Sequence, residues 1–203
     1  MNAAAPHQVF VDFAVPLSRI PTVRAQRSTT LLAEIAVLRD MGYGAAYETR
    51  VGARGTKLLE AVAGTWIEMP SMVVHYDACE QLGLSPSQQV QFGSDAAGRI
   101  FGTLLGTAVK LARSAGASPW TFFENVGRFW SRGYEGGGLR VLKLGPKEAR
   151  VELAGNPLFQ RAFFRNGFRG YAVAMLGLFC TRVWVREETP TRGISASYRG
   201  QWA

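Results

Sequence analysis

Residues 139–154 read LRVLKLGPKEARVELA, and the two-residue alternation in this stretch decides the fold. Leu139, Val141 and Leu144 lead into Gly145-Pro146-Lys147-Glu148, and Ala149, Val151 and Leu153 then resume the pattern. A period of two broken by a glycine-proline turn predicts a β-hairpin with one buried face. Further along, Asn156-Pro157 opens a helix expected to run to about Phe179. Residues 182–186 and 194–199 then read as two strands around a turn at 189–193. The segment 139–200 is therefore expected to be ββαββ, a four-stranded antiparallel sheet with one helix.

Upstream of the hairpin the period is helical. Leu31, Leu32, Ile35, Leu38 and Met41 recur at three- and four-residue steps, with Ser28 or Thr29 as a cap and Gly42 as a stop. A short helix is expected over 56–63 with Leu58, Leu59 and Val62 inward. Pro70 and Ser71 open a helix through Leu82, and Ser85-Pro86 opens a long one reaching about Ser114. In the latter, Gly98, Gly102 and Gly106 leave one face bare, which suits close internal packing or a homodimer seam. Ser118-Pro119 starts a helix striped with Trp120, Phe123, Val126 and Trp130. Residues 1–28 read as a short strand around Val9 and Val11 and an extended arm holding Arg19, Arg24 and Arg27. The fold class is thus α+β: an N-terminal helical layer (29–132) packed on the C-terminal sheet, as a single domain over 29–203 preceded by the arm.

A chain of 203 residues with 47% hydrophobic content can bury a substantial core. The net charge of +8 comes from 23 Lys and Arg against 15 Asp and Glu, and it permits an anionic partner without identifying one. Two cysteines, Cys79 and Cys180, lie in apolar stretches and form no disulfide framework, which fits a reducing, cytoplasmic setting. The first residues show no basic stretch ahead of an apolar run. The longest apolar run, 171–180, is well short of the roughly 20 residues of a membrane span, so a buried helix is expected there.

Several segments carry a resemblance. HYDACEQLGL (75–84), AGASPW (115–120) before an aromatic helix ending FWSRGYEGG (129–137), GPKEARVELAG (145–155) and NPLFQRAFFRNGFRG (156–170) resemble a paralogous domain family expanded in myxobacteria. That family is in turn similar to the fold of heme-nitric-oxide-binding domains, vinyl-reductase-type sensors and vesicle-tethering transport-particle subunits. The resemblance implies a pocket between helices and sheet or a helix-mediated dimer, and no biochemical activity. The heme-binding group's Tyr-x-Ser-x-Arg clamp is absent; the nearest text is Tyr47-Glu48-Thr49-Arg50.

Chemistry-bearing motifs are sparse. His75 and Cys79 stand one helical turn apart and could supply two metal ligands, but His7, Asp77, Glu80 and Cys180 complete no spacing signature. With only two histidines and no Gly-x-Ser-x-Gly elbow, a hydrolytic triad has no support. Gly52-Ala53-Arg54-Gly55-Thr56-Lys57 has two residues between its glycines where a phosphate loop has four. Arg161, Arg165 and Arg169 recur every four residues, a stripe that could hold an anion or pair with Glu152, Glu187 or Glu188. Phe92, Phe101, Trp120, Phe123, Trp130, Phe159 and Phe163 are the aromatic residues expected to line any apolar pocket. The sequence assigns no catalytic residue, cofactor or metal. It favours a non-enzymatic, sensor-like or regulatory module holding an apolar small molecule or contacting a protein. The rivals are a nucleic-acid or anionic-surface binder through the arginine stripe, and a metal-dependent enzyme at His75 and Cys79.

Overall fold

The structure is a computed structural model that describes residues 8–102 and 116–203, with the backbone alone at 189–192. Its helices are α1 (Ser28–Asp40), α2 (Gly44–Val51), α3 (Thr56–Leu59), α4 (Met69–Glu80), α5 (Pro86–Phe101), α6 (Pro119–Gly133) and α7 (Ala162–Gly177). Its strands are β1 (Gln8–Val11), β2 (Ala25–Arg27), β3 (Trp66–Glu68), β4 (Tyr134–Glu135), β5 (Gly138–Gly145), β6 (Glu148–Ala154), β7 (Val183–Arg192) and β8 (Ser195–Trp202). The main sheet is antiparallel, in the order β1-β5-β6-β8-β7. The four strands expected from the C-terminal alternation are joined by β1 at the β5 edge. A second, three-stranded sheet runs β3-β2-β4.

The cap signals act as their chemistry requires. Ser85 and Gln88 cap each other's backbone at the start of α5, and Ser118 and Thr121 do the same for α6, each followed by a proline in the first turn. Three expectations are corrected. The helix predicted from Pro157 is broken: a 3-10 turn, Pro157–Gln160, is capped by the Asn156 side chain, and Arg161 is extended before α7 begins. In the short helix α3 only Leu58 faces the core, whereas Leu59 and Val62 are exposed. The arm and the glycine-rich stretch before the hairpin hold strands β2 and β4, where Gln26 pairs with Tyr134.

α5 and α7 meet backbone to backbone. A Cβ at Gly93 would lie 1.9 Å from the Gly167 carbonyl oxygen, and one at Gly170 would lie 1.9 Å from that of Val90. Only glycine permits this approach. The bare row read from sequence is not the one used: Gly98 faces open space, and Gly106 lies outside the described residues. The predicted extension of α5 to about Ser114 falls there too. On the sheet, Arg150 of β6 donates to Glu188 of β7 at 2.5 Å, and Arg199 of β8 reaches both Glu148 (2.6 Å) and Glu188 (3.3 Å). The Arg199 hydrogen bond holds the Glu148 carboxyl below its ordinary value, and the Arg150 hydrogen bond does so for Glu188.

Gly93→Ala and Gly170→Ala should each destabilise the fold by about 3 kcal/mol or more through overpacking, while Gly98→Ala should be neutral or stabilising by about 0.5–1 kcal/mol through helix propensity, read by urea unfolding. The two lowered carboxyls stabilise the fold fully above the unfolded value near 4.5 and lose that contribution as pH falls through their lower folded values. The urea midpoint should therefore drop on acidification below that point, and Arg199→Met should shrink the drop.

Candidate functional site

α4 presents Met72, His75, Tyr76 and Cys79 on one buried face. Facing it, α1 contributes Glu34 and α2 contributes Tyr47, both buried. The Tyr47 hydroxyl lies 2.7 Å from His75 Nδ1, and His75 Nε2 lies 3.1 Å from Glu34 Oε2. Tyr76 donates its hydroxyl to the same carboxylate, at 2.9 Å to Oε1 and 3.1 Å to Oε2. Three helices are thereby tied by one fully enclosed polar chain. Burial, reinforced by nearby negative charge, pushes the Tyr47 and Tyr76 phenols up, so both stay neutral.

Glu34 and Tyr76 also border a cavity of about 580 Å³ between the helices and the main sheet. Its walls come from α6 (Phe122, Phe123, Val126, Phe129, Trp130), from α7 (Phe168, Tyr171, Ala172, Met175, Leu176) and from the inner face of the sheet (Leu139, Val151, Leu153, Tyr198). Tyr134 closes one side, stacked on Trp130 with ring centroids 4.4 Å apart, and the Trp130 indole donates to the Gly136 carbonyl at 2.9 Å. Burial raises the Tyr134 and Tyr171 phenols, and the Glu34 charge adds to it. The Tyr171 hydroxyl is enclosed with no completed hydrogen bond; the Thr30 side chain comes near it. The volume and predominantly apolar lining fall in the range of small-molecule pockets.

Of the aromatic residues singled out from sequence, Phe101, Phe123 and Trp130 border this cavity. Phe92, Phe159 and Phe163 are fully buried in the core, and Phe92 packs edge-on against Phe163 at 5.0 Å. Trp120 lies between Phe10 and Trp202 and donates to the Pro146 carbonyl at 2.8 Å, pinning α6 to the β5–β6 turn. Two of the three stripe arginines are committed to the protein itself. Arg161, in the extended link, pairs with Asp77 at 2.7 Å; Arg165 donates to the Phe159 carbonyl at 2.9 Å and pairs with Glu187 at 3.5 Å; Arg169 is half-buried. His75 Nε2 lies 3.8 Å from Cys79 Sγ, and burial pushes that thiol well up. Among the described residues no three His, Cys, Asp or Glu side chains form a group that could hold a metal ion. Cys180 is half-buried and meets the Leu176 carbonyl, while His7 lies outside the described residues. Sequence reasoning missed Glu34, Tyr47, Tyr76, Tyr134 and Tyr171 as a group; Glu34 carried a signal, being the one acid amid the apolar positions of α1.

Comparison with solved structures places the chain in a known fold. It is similar to a mutant form of the T. tengcongensis H-NOX domain at 13% identity, with 87% of this chain and 97% of that chain covered and a TM-score of 0.61. It is also similar to an oxygen-binding H-NOX domain related to soluble guanylate cyclases, in its oxygen complex (14%, 87% and 94%, TM-score 0.58). A third similar structure comes from work on heme distortion in the H-NOX family (13%, 87% and 94%, TM-score 0.61). The chain therefore has the H-NOX fold. No family model matches its sequence, and no curated protein is similar to it at the level of sequence. Among the described residues no helix is long and apolar enough to cross a membrane.

Tyr47→Phe leaves His75 Nδ1 without its donor in a dry site. It should cost about 1–3 kcal/mol in urea unfolding.

Proposed function

We propose that the chain is a non-enzymatic, sensor-like module that holds an apolar small molecule in the cavity between α6, α7 and the main sheet, and that it belongs with the myxobacterial paralogues its segments resemble. The observation that carries this reading is the cavity itself: about 580 Å³, walled by aromatic and aliphatic side chains, with polar groups gathered around Glu34. A partly open space of this size with a predominantly apolar lining is the kind of site that small molecules occupy. The fold it shares with small-molecule-binding H-NOX domains supports the reading by analogy.

Heme, the group named for several of those domains, does not suit these residues. The chain has two histidines, His7 and His75. Both ring nitrogens of His75 are already engaged, by Tyr47 and Glu34, and His75 is not part of the cavity wall. The wall offers neutral phenols, a carboxylate and the Met175 thioether, and no free imidazole or thiolate among the described residues. A metal-free organic ligand fits the donor set better. The arginine-stripe reading loses support because Arg161 and Arg165 already have acidic partners.

A neutral aromatic probe tests the proposal. 2-Naphthalenemethanol should bind saturably at one site per chain, read by quenching of tryptophan fluorescence, and Ala172→Trp, which fills the cavity from α7, should abolish the binding while leaving the unfolding transition cooperative. Binding unchanged in that variant would place the probe elsewhere and remove the support for the cavity as a ligand site.

A further inference from the structure

We infer that the cavity takes an amine: an apolar or aromatic body carrying one ammonium group that pairs with the Glu34 carboxylate. This rests on the cavity being a ligand site and adds the chemical class of its occupant.

Glu34 is 2% exposed and lines the cavity. Among the described residues its side-chain partners are Tyr76 and His75, at 2.9–3.1 Å. Which ring nitrogen faces Glu34 with a proton follows from the imidazole's other contact. The Tyr47 hydroxyl, 2.7 Å from Nδ1, makes no other hydrogen bond among the described residues, so its proton is satisfied only when Nδ1 accepts it. A ring proton then sits on Nε2, which donates to Glu34. Glu34 therefore accepts from one hydroxyl and one ring N–H, and among the described residues no Lys or Arg pairs with it.

A buried carboxylate without a counter-ion is costly, and a cation delivered by a ligand would relieve that cost. The two arginines bordering the same cavity do not serve. Arg27 stacks on the Trp66 ring at 3.9 Å and donates to the Gly64 carbonyl at 2.6 Å, and Arg132 is exposed. The surroundings also suit an ammonium. The rings of Tyr76, Tyr134 and Tyr171 border the cavity with Glu34, and aromatic faces attract cations. The enclosed Tyr171 hydroxyl, with no completed hydrogen bond, can accept from an ammonium N–H. A carboxylate-bearing ligand of the same shape would meet Glu34 with like charge.

The test is a charge series on one ring system, using the full chain: 2-naphthylmethylamine, 2-naphthalenemethanol and 2-naphthoate, titrated by calorimetry near neutral pH. The amine should bind on the order of tenfold more tightly than the alcohol, and the naphthoate most weakly, as expected for a charge-assisted hydrogen bond. In Glu34→Gln, checked for a cooperative melt, the amine should lose its advantage while the alcohol still binds. The series on the unaltered chain decides the matter even where that variant fails to fold. Equal binding of amine and alcohol, or tightest binding of the naphthoate, overturns the amine inference and leaves the cavity reading standing. Binding of none of the three overturns both.

Discussion

The contact between α5 and α7 is the constraint on which the rest of the structure depends. Packed helices ordinarily stand about 8–10 Å apart because side chains fill the space between them. Here Gly93 and Gly170 remove those side chains, and the carbonyls of Gly167 and Val90 stand where their Cβ atoms would be. The approach ties α7 to the helical layer on one side while its Phe168, Tyr171, Ala172 and Met175 face the cavity above the sheet on another. Since α7 sits between hairpins in the chain, this contact also fixes how the sheet meets α1 and α4. The cavity is the space left when one helix is held tightly by a neighbour and α6, anchored separately through Trp120 and Trp130, closes over the remainder.

Local chemistry was legible in the sequence wherever it is decided within a few residues. The strand alternation on either side of Gly145-Pro146, the Ser-Pro starts of α5 and α6 and the Gly42 stop all follow from nearest-neighbour sterics and hydrogen bonding. Pairings between distant segments were not legible. β2 is three residues long and β4 two, too short for any period; β2 is held by β3 and β4 on either side, and β4 by β2. The glycine contact failed to show for a related reason. A four-residue row on one helix, Gly98-Gly102-Gly106, looks like a packing face, but the working glycines belong to two helices, and their meeting is a property of tertiary arrangement. The break at Arg161 was likewise hidden, because Asn156 caps a 3-10 turn as readily as it caps an α-helix.

The candidate site shows the same division. His75 and Cys79 stood out because they share a helical face, and that spacing suggested half of a metal site. The actual partners of His75 are 28 residues away at Tyr47 and 41 away at Glu34, on other helices. Once those partners are in place, the histidine is a relay of hydrogen bonds with no open nitrogen. The aromatic stripe was legible as apolar, but periodicity does not say which rings fill the core and which border a void. Phe123 and Phe92 have the same character in sequence; Phe123 borders the cavity, while Phe92 is fully buried at the α5–α7 approach.

A shared fold therefore constrains where a pocket lies and leaves its chemistry to individual side chains. In this chain the space between helices and sheet is bordered by neutral phenols and one buried carboxylate. Those phenols remain neutral because their burial and the nearby Glu34 charge both raise them. Beside Glu34 the cavity thus presents hydroxyls within a largely apolar wall, while Arg27 and Arg132, also on its border, are held on Trp66 and exposed respectively. Such an arrangement discriminates among ligands by charge before it does so by shape, because a mismatch in charge within a low-dielectric space costs more than an unfilled methylene.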